Sequence, residues 1–219
     1  MELTGKKIVF LGDSITEGHG VSKSEHIYVN RLAKMAGLKE SKNYGIGGTR
    51  FATQKLPSDN PIFDLDFCQR CEELDADADI VIVFGGTNDF GHGDAPIGQM
   101  TDRTPESFYG ACHYLMNRLS ERFPGKPIVL MTPLHRLVED DPTAGGRKPA
   151  PVATLSEYVD IIKEVARFYA LPVLDLYAQS GIQPRVPILQ EKFCPDGLHP
   201  NDDGQKLIAD RLYGFLKSL

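Results

Sequence analysis

The chain reads as one α/β domain over residues 1–219, a three-layer α/β/α sandwich around a flavodoxin-like, five-stranded parallel sheet. Three observations predict it. Short β-branched runs without polar alternation recur along the chain, as strands buried on both faces require. Segments with helical spacing separate them, and strand alternating with helix implies parallel pairing through right-handed crossovers. The length of 219 residues, with 41% hydrophobic and 25% charged, suits a single globular core.

Ile8–Leu11 is the first strand, stopped by Gly12. Ser22 with Glu25 resembles a capping box, opening a helix with Tyr28, Leu32 and Met35 inward and Gly37 as its stop. A short second strand falls at Ser41–Tyr44, and a helix-like segment runs from about Asp64 to Leu74. Ile80–Phe84 is the central strand. Thr104-Pro105-Glu106 supplies a cap, a first-turn proline and a first-turn acid for a helix whose stripe is Phe108, Ala111, Cys112, Leu115 and Leu119. Ile128–Met131 is the fourth strand. Thr154 with Glu157 opens a helix with Leu155, Val159, Ile162, Ala166 and Tyr169 inward, Val173–Leu176 is the fifth strand, and a last helix from near Asp202 buries Ile208, Leu212, Phe215 and Leu216. The segment Thr132–Ala153, rich in Pro, Gly and Asp, reads as a loop at the rim and a candidate lid.

Chemistry concentrates just beyond the strands, where such sheets bind ligands. Gly12-Asp13-Ser14 follows the first strand directly. Alone it reads equally as a polar strand-to-loop turn; a phosphate-cradling loop would need glycines and a Lys-Ser/Thr pair that are missing. Pro195-Asp196-Gly197-Leu198-His199-Pro200 puts an acid and a histidine ahead of the final helix. Pro200 disfavours helical geometry at His199, so Asp196 can fold back onto Nδ1 and leave Nε2 as the free base. Plain helix capping by Asp196 is the other reading. Gly47-Gly48-Thr49 after the second strand offers a backbone N–H with no Cβ in the way, and Gly86-Thr87-Asn88-Asp89 after the third offers a side-chain amide. Ordinary turn chemistry is the alternative for each.

Four such blocks in this order resemble the SGNH hydrolases, the GDSL-type esterases and acylhydrolases. The resemblance spans nearly the whole chain. It implies that Ser14 is the nucleophile, Asp196 and His199 the acid and base, and Ser14, Gly48 and Asn88 the oxyanion donors. Where the family has a residue between glycine and threonine, Gly47-Gly48-Thr49 has none, so Gly47 is the alternative to Gly48. The implied activity is hydrolysis of small carboxylic esters, short-chain or O-acetyl carbohydrate esters first, with lysophospholipids and thioesters as further family substrates. A non-catalytic flavodoxin-like module holding a phosphate or cofactor is the alternative function. It gives no role to Asp196 and His199.

His92, just past Asn88, and His135, after the fourth strand, are candidate substrate-binding residues, and Arg136 beside His135 can point the same way. Cys68 and Cys71 have redox spacing but fall inside a helical pattern, so they read as structural. Asp75, Asp77 and Asp79 lack the glycine and distal glutamate of a calcium loop, and the six histidines show no zinc spacing, so neither metal nor cofactor is expected. The formal net charge of -6 argues against nucleic acid or an anionic membrane as main partner. No apolar run approaches the ~20 residues of a membrane span, and Lys6 and Lys7 precede too short a run for a secretory signal. Four cysteines in a chain this long suggest no disulfide scaffold, and a reducing cytoplasm is the expected location.

Overall fold

The computed structural model describes residues 1–148 and 150–219. Five strands, β1 (Lys7–Gly12), β2 (Glu40–Gly45), β3 (Ile80–Phe84), β4 (Ile128–Met131) and β5 (Val173–Leu174), form one sheet in the order β2-β1-β3-β4-β5. Every pairing is parallel, and Gly12 of β1 sits level with Gly45 and Phe84, so three strands end at one rim. The expected three-layer sandwich is the observed fold.

Side chains alternate along each strand and build two cores. Ile8, Phe10, Ile82 and Met131 face α2 (Tyr28–Ala36) and α9 (Asp202–Ser218). Val9, Leu11, Val83 and Leu130 face α3 (Phe67–Arg70), α5 (Phe108–Arg122) and α6 (Leu155–Phe168). Both sheet faces are covered, which explains why the inner strands read as continuous apolar runs.

The capping box at Thr154 and Glu157 forms as expected. Other helix starts differ. Ser22 does not cap α2: its Oγ donates to Asp202 Oδ2 at 2.6 Å, a 3-10 turn over Ser24–His26 follows, and the helix begins at Tyr28. Within α2 the buried face is Tyr28, Val29, Leu32 and Ala36, which leaves Met35 42% exposed. Ser107, not Thr104, caps α5, accepting from the Gly110 N–H. The segment Asp64–Leu74 is broken rather than continuous, with 3-10 turns at Pro61–Asp64 and Cys71–Glu73 around the short α3. Asp66 caps α3 through the Gln69 N–H and resets the chain there. The fifth strand ends at Leu174, because Asp175 caps α7 (Leu176–Gln179).

Candidate active site

The rim is built turn by turn. β1 ends in Gly12, where any Cβ would strike the Thr16 side chain, so the chain can reverse only without one. Asp13 then caps α1 (Ser14–Glu17), its Oδ1 accepting from the Ile15 N–H at 3.0 Å. Ser14 is the first helical residue, so its N–H has no acceptor in its own helix. Complete burial pushes the Asp13 carboxyl up to about 7, with the nearby Asp89 adding to the rise, while the Ile15 N–H and Arg70 oppose it. It therefore orders the turn from behind and has no contact with the imidazole described next.

The C-terminal segment meets this turn. Ser14 Oγ lies 3.0 Å from His199 Nε2, and His199 Nδ1 lies 2.7 Å from Asp196 Oδ2. The same carboxylate accepts the backbone N–H groups of Leu198 and His199 on Oδ1, at 2.8 and 2.6 Å. Burial raises the Asp196 carboxyl, but these hydrogen bonds outweigh it and hold it below the usual carboxylate value. With an ionised carboxylate on Nδ1, the tautomer that protonates Nδ1 is favoured and Nε2 is free to accept the serine proton. The termini are pinned by Gln205 of α9, fully buried, whose Nε2 donates to Ile15 O at 2.9 Å and whose Oε1 accepts from the Tyr28 N–H. The Ser22 N–H adds a bond to Asp202 Oδ1 at 2.9 Å.

The glycine block closes one side. Gly47 donates its N–H to Glu17 Oε2 at 2.7 Å, whereas the Gly48 N–H has no acceptor among the described residues. Gly48 has φ +79°, and a Cβ there would sit 2.7 Å from Phe63 Cδ1. Asn88 stands on α4 (Thr87–Gly91), directly after β3. One hydrogen of its amide goes to Thr49 O at 3.0 Å, which fixes the group and leaves the second free. The adjoining Asp89 turns inward and accepts the Phe51 and Ala52 N–H groups; its burial pushes the carboxyl up to about 6.

Ser14, Gly48, Asn88 and His199 all border one cleft of about 400 Å³. His92 borders it too. The ring accepts a hydrogen bond from Arg50 Nη1 on Nδ1 at 2.9 Å, which leaves the proton on Nε2. Burial, with Arg50, Arg136 and other cations beside it, pulls the His92 pKa down to about 4, so the ring is neutral near pH 7. His135 departs from expectation: it is not among the residues bordering the cleft. Its Nδ1 lies 2.9 Å from Glu139 Oε1 and its ring packs on Tyr177 at 3.8 Å between centroids, so local partners hold it elsewhere. Arg136, its neighbour in sequence, takes the place at the cleft.

Arg70 is a residue the sequence did not mark. Buried, it donates to Gly12 O at 3.1 Å, to Thr49 Oγ1 at 2.7 Å and to Tyr44 O, tying the ends of β1 and β2 to the glycine block. Its only signal was a charge inside an apolar helical pattern. Among the described residues no group of three or more His, Cys, Asp or Glu is placed to hold a metal ion. The four cysteines are free and buried, and burial raises the thiols of Cys68 and Cys71, as fits structural residues. No described helix is long and apolar enough to cross a membrane.

The model of the GDSL-like lipase/acylhydrolase family matches residues 10–207. The chain belongs to that family. As a GDSL-like protein it is a carboxylic ester hydrolase, and the small-molecule ester is its class of substrate. Solved structures agree on the fold. A protein from Lactobacillus plantarum is 29% identical, with 99% of this chain and 98% of that one covered at TM-score 0.83. The acetylxylan esterase Axe2 from Geobacillus stearothermophilus is 20% identical over 97% and 94% of the two chains, at TM-score 0.58. A carbohydrate acetylesterase family member from Sinorhizobium meliloti is 16% identical over 97% and 98%, at TM-score 0.66. No curated protein matches the chain.

Proposed function

We propose that this GDSL-like hydrolase cleaves small carboxylic esters by serine catalysis with Ser14, His199 and Asp196. The observation that carries the reading is the continuous chain of contacts from Ser14 Oγ to His199 Nε2 at 3.0 Å and from His199 Nδ1 to Asp196 Oδ2 at 2.7 Å. His199 takes the Ser14 proton as Oγ bonds to the ester carbonyl carbon. The resulting oxyanion accepts the Ser14 N–H, the Gly48 N–H and the free Asn88 Nδ2 hydrogen. Imidazolium, balanced by Asp196, returns its proton to the leaving alcohol as the carbon–oxygen bond breaks. Water, deprotonated by His199, then releases the acyl group and restores Ser14. Gly48 is preferred to Gly47 as donor because Glu17 already takes the Gly47 N–H.

The cleft of about 400 Å³ suits a small substrate, and charged residues at its mouth favour a polar one. Short acyl groups, including O-acetyl groups on carbohydrates, fit this description, and the acetylesterases among the structural neighbours support it. The test is labelling with a fluorophosphonate and a panel of 4-nitrophenyl esters of rising chain length. A single adduct on Ser14 and fastest turnover of the shortest esters are expected. Ser14→Ala should remove turnover by on the order of 10⁴-fold or more while leaving the melting curve intact. Full activity in that variant, or a bound flavin or phosphate with no adduct, refutes the mechanism.

A further inference from the structure

The cleft wall facing the reacting groups carries a guanidinium that the ester-cleavage steps do not use. Arg136 is only 5% exposed and borders the cleft. Its Nη1 donates to Thr87 O at 2.9 Å and to Thr87 Oγ1 at 3.2 Å. Nε and Nη2 have no hydrogen-bond partner among the described residues, and no described carboxylate oxygen lies within 4.0 Å of the group. They are also not among the fully enclosed, unpaired polar atoms, which leaves the small exposed fraction of Arg136 as their opening to the cleft. The site is made to hold this side chain. The guanidinium carbon stands 5.1 Å from the Phe90 ring centroid, and a Cβ on Gly91 would come 2.8 Å from Nη1.

A buried cation without an anion is costly, and proteins normally pair it. Asp13, Glu139 and Asp196 are near enough to favour the charged guanidinium, but none forms an ion pair with it. Arg147 borders the same cleft at its exposed lip and is in no ion pair among the described residues. Arg50 donates to His92, which borders the cleft, but Arg50 has Asp64 at 3.7 Å and Asp89, Asp94 and Asp66 around it, so its charge is met by its own acids. Glu139, three residues after Arg136 in the chain, spends its carboxylate on His135, on the Arg136 backbone N–H and on Arg185. Two guanidinium groups with no ion pair among the described residues, Arg136 and Arg147, thus border one cleft of a chain whose net charge is -6.

We propose that the ester hydrolysed here carries an anionic group, a carboxylate or a phosphate or sulfate monoester, that binds Arg136 with Arg147 at the lip. This rests on the serine-esterase reading and narrows its substrate class. A planar guanidinium with Nε and Nη2 free matches two oxygens of such a group side by side. The free ester would be drawn to the cleft by the same field, and the attraction should weaken as salt is added. Arg136 is then a specificity-determining residue, separate from the groups that move the proton.

Two matched pairs test the proposal by kcat/KM. One compares the 4-nitrophenyl ester of succinate with that of monomethyl succinate; the other compares O-acetyl galacturonate with O-acetyl galactose, read by acetate release. Wild type should favour the charged member of at least one pair by about 10–100-fold, the worth of a charge-assisted hydrogen-bond pair. Arg136→Gln should bring that ratio near one, Arg136→Lys should restore part of it, and Arg147→Gln, at an exposed position, should lower it several-fold without unfolding risk. Calorimetric titration of Ser14→Ala protein with galacturonate and succinate reads the same contact without turnover. Neutral esters cleaved with no charged preference in either pair overturn this inference and leave the esterase intact. Anion binding lost on Arg136→Gln in a protein that cleaves no ester and takes no fluorophosphonate overturns the esterase reading instead.

Discussion

On one side of the cleft, Asp196 meets His199 across 3 residues of chain. Elsewhere in its lining, Arg136 meets Thr87 across 49 residues, and Arg70, buried outside the lining, meets Gly12 across 58. The acid–histidine pair is a local turn: the carboxylate holds two backbone N–H groups and the ring, and Pro200 keeps the segment extended. The two arginines have no such local logic. Each guanidinium is held by carbonyls and hydroxyls that only the folded sheet brings within reach. Local geometry supplies the reagents, and distant contacts supply their alignment and the charge around them.

Asp196→Asn is the strongest way to test the local half. The amide can still accept the Leu198 and His199 N–H groups, so the turn should persist. Its NH₂ would face Nδ1, however, forcing the proton to Nε2 and removing the base that the proposed mechanism requires. A fall in kcat on the order of 10⁴-fold is expected with an unchanged melting temperature. A large loss of stability instead would mean that the pair is mainly structural.

Arg70→Met tests the distant half. The alkyl stem is kept, while Tyr44 O and Thr49 Oγ1 lose the guanidinium and Gly12 O keeps only the Ile46 N–H. Leaving such groups buried should cost about 2–4 kcal/mol in urea unfolding. Activity at temperatures where the variant remains folded should also fall, because the Gly48 and Ser14 turns lose their common tie. Normal stability would show that the sheet alone aligns the rim.

The smallest effect is expected at Asp13, where the two halves join. Its carboxyl is raised from 3.8 to about 7 by burial. Between those values the folded state binds a proton that the unfolded chain has lost, so this group makes stability fall as pH rises through the window. Asp13→Asn keeps the oxygen that accepts from Ile15 and removes the charge. It should flatten that decline and give a net gain of about 1 kcal/mol at pH 8, since the amide's unpaired NH₂ offsets much of the linkage benefit. Urea unfolding of both proteins at several pH values measures it; a decline of equal steepness in both would assign the slope elsewhere, with Asp89 the next candidate.

How far the sequence could be read follows the same division. Ile80–Phe84, Ile128–Met131 and the Thr154–Glu157 box were legible because apolar runs and caps act over a few residues. The start of α2 was misplaced because a tertiary bond diverts Ser22 to Asp202, and Met35 because the face packed on the sheet and α9 runs through Val29 and Ala36 instead. His135 was taken for a cleft residue because its position after β4 suits one; Glu139, four residues on, holds it instead. Gln205 gave no sign of its role, since nothing local shows that it bridges Ile15 and Tyr28.

Alone, the residue order determined that strands and helices alternate, that three strands stop at polar turns, and that an acid and a histidine share one turn, because these depend on side chains within a turn or two of each other. Only the tertiary structure decided that Ser14 lies against His199, 185 residues away, that Gly48 rather than Gly47 keeps its N–H free, and that Arg136 is buried with no described carboxylate in ion-pair contact. Those facts depend on which surfaces the packed sheet brings together, and no short-range preference encodes that.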